Sequence, residues 1–156
     1  MDHPVILSSG GMQKKLRDIM SHTVVRIHPE ETVAVAARML EHNNIGALPV
    51  CGSDGRLCGV VTDRDIVTRC LAAGKSPQTT SVREVMTGKV YVGRPDMDVT
   101  LAAGLMGKEQ IRRLPVMENG RLCGMVSLCD LARQEESNME AGDALSEISS
   151  NLSCRN

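Results

Sequence analysis

Gly55–Val67 reads GRLCGVVTDRDIV, and Gly120–Ala132 reads GRLCGMVSLCDLA. In both stretches a short apolar run, Val60-Val61 or Met125-Val126, ends in a hydroxyl residue, Thr62 or Ser127. An acid follows three positions later, Asp65 or Asp130. A hydroxyl and an acid at this spacing, where an extended run gives way to an apolar helix, have the pattern of a capping box. One such box only starts a helix. Two at matched positions point to a duplicated unit with a conserved junction between strand and helix.

Working outward, a shift of 66 residues lays Leu16–Met20 (LRDIM) on Val82–Met86 (VREVM), Pro29 on Pro95, and Ile45–Val50 (IGALPV) on Ile111–Val116 (IRRLPV). A deletion in the following turn changes the shift to 65, which lays Gly55–Gly59 on Gly120–Gly124 and Asp65 on Asp130. Each copy is small for a self-sufficient core, so the two are expected to bury apolar faces on one another. The boundaries read as a flexible extension over 1–15, a first unit over 16–75, a second over 76–136 and a helical tail over 137–156. Ala72–Ser81 links the copies.

Within one unit, Val24–Ile27 (VVRI) reads as a β-branched strand. Pro29-Glu30-Glu31 reads as a helix start, and Val33, Ala36, Ala37 and Leu40 recur at helical spacing. Ala47–Val50 and Leu57–Val61 read as a hairpin turned at Ser53-Asp54-Gly55, with a second helix over roughly Asp63 to Ala73. Asn119-Gly120 is the strong two-residue turn signal in the second copy. The unit is β-α-β-β-α, and the fold class is α+β.

Composition narrows the function. The chain has 156 residues, 42% hydrophobic and 24% charged, with a net charge of −1. No overall charge draws it to nucleic acid or an anionic membrane. Tyr91 is the single aromatic residue, which argues against a base-stacking nucleic-acid binder. No run of about 18 apolar residues suggests a membrane span. The N-terminus lacks the basic-then-apolar layout of a secretory signal, so a cytoplasmic setting with six reduced cysteines is expected.

The doubled LRDIM/VREVM, IGALPV/IRRLPV and GVVTDRD/GMVSLCD segments resemble a tandem pair of cystathionine-β-synthase-type (CBS) domains, of the small stand-alone bacterial kind. The resemblance covers roughly Leu16 to Gln134. It implies two units packed by their sheets with pseudo-two-fold symmetry, and two grooves that bind an adenine nucleotide such as AMP, ADP or ATP. By that resemblance Thr62 and Ser127 meet phosphate while Asp65 and Asp130 accept from ribose hydroxyls, aided by the positive end of a helix. The base would lie in an apolar slot of Thr23, Val24 and Val25 against Gly46, Ala47 and Pro49. The second slot would use Lys89, Val90 and Tyr91 against Arg112, Arg113 and Pro115. Arg64 lies inside the first clamp, whereas the second has Leu128 and Cys129 there and carries Arg112-Arg113 in place of Gly46-Ala47, so the grooves should differ in affinity.

The residues alone leave capping and binding both open for each Asp. A regulatory nucleotide sensor, acting on an unidentified partner protein, is the first reading. A ligand-free dimerisation or scaffold module is the second, and a zinc or redox sensor the third. Cys51 and Cys58 lie close across a hairpin with His42 in reach along the chain, but no C-x₂-C pair exists, and Cys58 and Cys123 sit in apolar strands as buried thiols. No metal site, cofactor or catalytic residue is expected, since no nucleophile, P-loop or dinucleotide motif is present. Apolar outer helix faces predict a homodimer, while Met139, Leu145 and Ile148 in the helical tail fit packing on their own domain and contact with a second subunit equally.

Overall fold

Two hairpins organise the chain. The computed structural model describes residues 14–134. In order these form α1 (Leu16–Ile19), α2 (Val33–Asn43), β1 (Ala47–Cys51), β2 (Leu57–Thr62) and α3 (Asp63–Ile66), which runs into a π-helical turn (Val67–Leu71). Then come α4 (Val82–Val85), α5 (Val99–Glu109), β3 (Arg113–Glu118), β4 (Arg121–Ser127) and α6 (Leu128–Ala132). The helical tail expected over 137–156 and the first 13 residues, read above as part of an extension, lie outside the described residues.

Antiparallel pairing sets Ala47 opposite Thr62 and Val50 opposite Gly59, and a bulge leaves Cys58 between the Val50–Gly59 and Cys51–Leu57 pairs. β3 and β4 form the matching second sheet. At its turn Asn119 and Gly120 have φ of 54° and 79°, the double left-handed conformation of a type I′ hairpin.

The strand expected over Val24–Ile27 reduces to one parallel bridge at Ile27. Ile27 N–H donates to the Pro49 carbonyl (3.0 Å) and Cys51 N–H donates to Ile27 O (2.9 Å). The next parallel rung would need an N–H from Pro49, which proline lacks. The second copy repeats this: Gly93 N–H donates to Pro115 O (2.8 Å).

Two helix expectations also change. Helix α2 starts at Val33, not at Pro29, with Thr32 Oγ1 accepting from Val35 N–H (3.3 Å). The Pro29 and Glu31 carbonyls are committed elsewhere, to Arg83 N–H (3.0 Å) and Val82 N–H (2.8 Å). Val33, Ala36 and Leu40 are buried as the spacing predicts, but Ala37 faces solvent. The helix expected over Asp63 to Ala73 is four α-helical residues followed by the wider π turn. Thr68 Oγ1 donates to Arg64 O (2.8 Å) there, a side-chain competitor for a helix carbonyl.

The contacts gather the chain into two compact units that do not follow the order of the repeat. One holds residues 23–92 and 117–123; the other holds 14–22, 93–116 and 124–134. Helix α4 opens the second copy in sequence, yet Val82 and Val85 complete the core of the first with Val33, Leu48, Val50 and Val61. Helix α1 makes the reciprocal choice. Leu16 N–H donates to Met97 O (2.9 Å), Arg17 N–H to Pro95 O (3.0 Å), and Lys15 Nζ pairs with Asp98 Oδ1 (2.6 Å). Four-residue helices are not stable alone. Burial of Leu16, or of Val82 and Val85, fixes them, at about 1.5–3 kcal/mol per side chain.

The motif glycines exist to admit these lead-in segments. A Cβ on Gly59 would run into the backbone oxygen of Thr87, and one on Gly124 into the Met20 side chain. Val60 and Thr87 exchange two backbone hydrogen bonds (3.0 and 2.9 Å), as do Met125 and Ser21 (3.1 and 2.9 Å). Among the described residues, no helix is long and apolar enough to cross a membrane.

Candidate functional site

Both strand-to-helix junctions close the capping box. Thr62 N–H donates to Asp65 Oδ2 and Asp65 N–H donates to Thr62 Oγ1, both at 3.0 Å. Ser127 and Asp130 repeat the pair at 2.9 and 3.0 Å. Each hydroxyl oxygen therefore accepts, and its own proton is left to donate. Capping uses only one carboxylate oxygen, so cap and clamp are compatible roles for the same Asp.

The other oxygen meets an arginine that the sequence reading missed. Asp65 Oδ1 lies 3.8 Å from Arg69 Nη1, and Asp130 Oδ1 accepts from Arg133 Nη1 at 3.0 Å. Spacings of i,i+4 and i,i+3 after each Asp carried that signal. Arg69 also donates to the carbonyls of Val85 and Met86, both at 3.1 Å, and so holds the end of α4. The Asp65 side chain keeps 11% exposure and the Asp130 side chain 27%.

Around the first junction the chain brings Gly46, Ala47, Pro49, Thr62 and Asp65 together. Ala47 faces Thr62 across the hairpin, and Asp63 N–H donates to Gly46 O (3.1 Å). Val25 packs against the same core, one missing rung before Ile27, while Thr23 and Arg64 are exposed. Asp63 was not singled out from sequence. Its Oδ1 accepts from Arg64 N–H (2.8 Å) and its Oδ2 sits 3.5 Å from where a Cβ on Gly46 would stand. The second junction joins Arg112, Arg113, Pro115, Ser127 and Asp130 in one unit, with Leu128 N–H donating to Arg112 O (2.8 Å). Lys89 and Tyr91, expected beside them, are exposed and group by contacts with residues 23–92, because the chain passes between units after Val92.

Burial, and next the neighbouring charge of Arg112, lower the pKa of Arg113, while Asp130 opposes the shift. α3 and α6 have four and five residues, too few turns for the helix dipole to dominate; side-chain charge sets the field here. An open depression of about 320 Å³ lies elsewhere, among Leu57, Cys58, Val90, Val92 and Met117, and its lining includes neither Thr62 nor Asp65.

The cysteines depart from expectation. Cys51 and Cys70 are buried, but Cys58 and Cys123 are half-buried, because strand alternation turns both to the outer face. Burial pushes the Cys51 thiol up, and burial with the charge of Glu118 does the same for Cys123. Cys129 is disulfide-bonded, against the expectation of six reduced thiols. Among the described residues no group of three His, Cys, Asp or Glu side chains is placed to hold a metal ion.

Doubled hairpins, doubled capping boxes and doubled lead-in helices define a tandem pair of one small α+β domain. The chain belongs to the CBS domain family, whose profile matches residues 16–72 and 82–137. It is 42% identical over 134 residues to the CBS domain-containing protein YhcV of Bacillus subtilis, covering 86% of this chain and 94% of that one. It resembles the crystal structure of Hypoxic Response Protein I with two coordinated zinc ions: TM-score 0.72, 39% identity, 78% of this chain and 98% of that one. It also resembles the CBS domain pair of protein MJ0100 in complex with 5′-methylthioadenosine and S-adenosyl-L-methionine: TM-score 0.70, 30% identity, 78% and 94% covered.

Proposed function

We propose that this CBS pair is a regulatory module that binds an adenosyl ligand, an adenine nucleotide among them, at the Thr62–Asp65 and Ser127–Asp130 junctions, and passes its level to a partner protein. The carrying observation is the doubled box in which the hydroxyl proton of Thr62 or Ser127 stays available after capping. A hydroxyl donor beside a carboxylate suits a phosphate or ribose edge, and the MJ0100 domain pair binds two adenosyl compounds. Thr23, Val25, Gly46, Ala47 and Pro49 form the base slot in this reading, with Arg112, Arg113 and Pro115 as the counterparts at the second junction. No chemical step is assigned to the chain.

Calorimetry and melting curves with AMP, ADP, ATP, 5′-methylthioadenosine and S-adenosylmethionine test the reading. Ligand at about 100 times its dissociation constant adds about 2.7 kcal/mol. Silence in both measurements with all five removes the proposal and leaves the scaffold role. We propose a homodimer in either case, since Val67, Leu71 and Leu101 are exposed by 54%, 54% and 62%; light scattering should give twice the chain mass. Zinc ranks below nucleotide. Hypoxic Response Protein I coordinates it, but the described residues offer no three-ligand group, and elemental analysis should find well under one zinc per chain.

A further inference from the structure

Helix α4 is gripped at both ends by the elements that carry the first junction. At its start, Val82 N–H donates to Glu31 O (2.8 Å) and Arg83 N–H to Pro29 O (3.0 Å), on the chain just beyond Thr23, Val25 and Ile27. At its end, Arg69 Nη1 donates to the carbonyls of Val85 and Met86, both at 3.1 Å, and to Thr87 Oγ1 at 3.4 Å. The same nitrogen stands 3.8 Å from Asp65 Oδ1, outside hydrogen-bond range but close enough for its charge to act. An Nη nitrogen has two hydrogens to give, so the α4 acceptors and the carboxylate compete for it. Arg69 sits in the π turn (Val67–Leu71), four residues after Asp65, and a π turn inside a helix is a frequent mark of a functional site. Hydrogen bonds close the circuit: Thr87 and Val60 exchange backbone bonds of 2.9 and 3.0 Å, and Val60 runs through Val61 into the Thr62–Asp65 box. All of these residues lie in one compact unit. The second copy is built otherwise. Gln134 matches Arg69 under the shift of 65 and carries no charge, and Arg133 bonds Asp130 Oδ1 directly at 3.0 Å.

We propose that Arg69 is a positioning residue that couples the occupancy of Asp65 to the end of α4, making α4 the element that reads out the first junction. This rests on the adenosyl reading above. A ribose hydroxyl that donates to Asp65 Oδ1 disperses its negative charge and lessens its pull on Arg69. The guanidinium then settles fully on the Val85, Met86 and Thr87 acceptors, and α4 is held more tightly. Linkage makes the effect reciprocal: whatever tightens α4 favours ligand at Asp65. The coupling belongs to the first junction, because a neutral Gln134 is not released by a change of charge at Asp130.

The test combines calorimetry with hydrogen exchange on the full chain, using AMP and 5′-methylthioadenosine as probes. The Met86 and Thr87 amides, bonded to Val82 O and Val60 O at 2.9 Å, report on α4. In the wild type, a probe that gives heat should slow their exchange about fivefold or more, the usual scale of such coupling. Arg69→Gln should still give heat, bind about fivefold more weakly and show the same exchange with and without probe. A purely structural Arg69 would instead speed exchange equally in both states and leave the ratio intact. Arg69→Lys should restore the response, since one nitrogen makes every contact. Asp65→Asn keeps the cap acceptor and removes the charge, so exchange at Met86 and Thr87 should slow before any probe is added. Heat without a change of exchange in the wild type, an Arg69→Gln response equal to that of the wild type, or faster exchange in Asp65→Asn overturns the coupling and leaves the adenosyl reading in place. If neither probe gives heat, the adenosyl reading falls and the coupling with it.

Discussion

The Gly59–Asp65 and Gly124–Asp130 junctions share a backbone and differ in what surrounds it. Both have a close-approach glycine, a hydroxyl cap and an acid three residues on. The first buries its acid and places a second carboxylate beside it; the second leaves its acid one-quarter exposed at 27% and pairs it with Arg133. Duplication therefore preserved what forms the turn, since local hydrogen bonding requires it, and released what faces outward. The lesson is that a repeated motif fixes local architecture, while the unrepeated neighbours set the charge and burial around it.

The largest effects should come from the lead-in helices, where the comparison between copies is sharpest. Leu16 belongs to the first copy by sequence and is fully buried in the unit of the second. Leu16→Ala should cost about 3 kcal/mol. Hydrogen exchange should quicken first in α5 and β3, not in α2 and β1; the opposite order would contradict the exchange of helices between copies.

Next come the glycines. Gly59→Ala forces a methyl group onto the Thr87 backbone oxygen, which cannot step aside, whereas Gly124→Ala meets mainly the flexible Met20 side chain. Overpacking costs about 1–3 kcal/mol, so Gly59→Ala should fall near the upper figure and Gly124→Ala near the lower. Thermal melts that rank the two the other way would show the junctions to be packed less alike than they are here.

Asp65→Ala and Asp130→Ala should each destabilise the ligand-free protein by about 0.5–2 kcal/mol through loss of the box. Asp65, the more buried acid, should cost more. An unchanged melting temperature for both would mean that the carboxylates serve ligand only.

Smaller differences separate the outward-facing pairs. Burial and Glu118 raise the Cys123 thiol pKa. Thiolate is the reactive form, so alkylation of Cys123 at pH 8 should be slower than that of a free thiol such as glutathione, and an equal rate would remove the shift. In the lead-in caps, the Ser81 backbone N–H and hydroxyl hold Glu84 below the usual carboxylate range. A depressed acid stabilises the folded state above its unfolded pKa, about 4.3, and that contribution is lost as pH falls through the lower folded value. Glu84→Gln should accordingly flatten the acid end of the stability curve. An unaltered profile would remove this role.

Sequence by itself determined the repeat, the hairpins, the type I′ turn at Asn119-Gly120 and the pairing of Thr62 with Asp65 and Ser127 with Asp130. All of these depend on residues a few positions apart, whose hydrogen bonds follow from local spacing. It also brought together most of the first candidate site, because Ala47 and Thr62 lie on adjacent strands of one hairpin and Gly46 precedes the first. Only the tertiary structure decided the rest. Pro49 and Pro115 cut the expected edge strands to single bridges, since the missing N–H matters only once a neighbour needs it. The Pro29 and Glu31 carbonyls went to α4, delaying the start of α2. Arg69 was tied to the end of α4 through the Val85 and Met86 carbonyls, a contact set by how the helices pack. Above all, α1 and α4 were traded between the copies: LRDIM and VREVM are interchangeable as sequences, and only burial of Leu16 in one core and of Val82 and Val85 in the other determines which unit each completes.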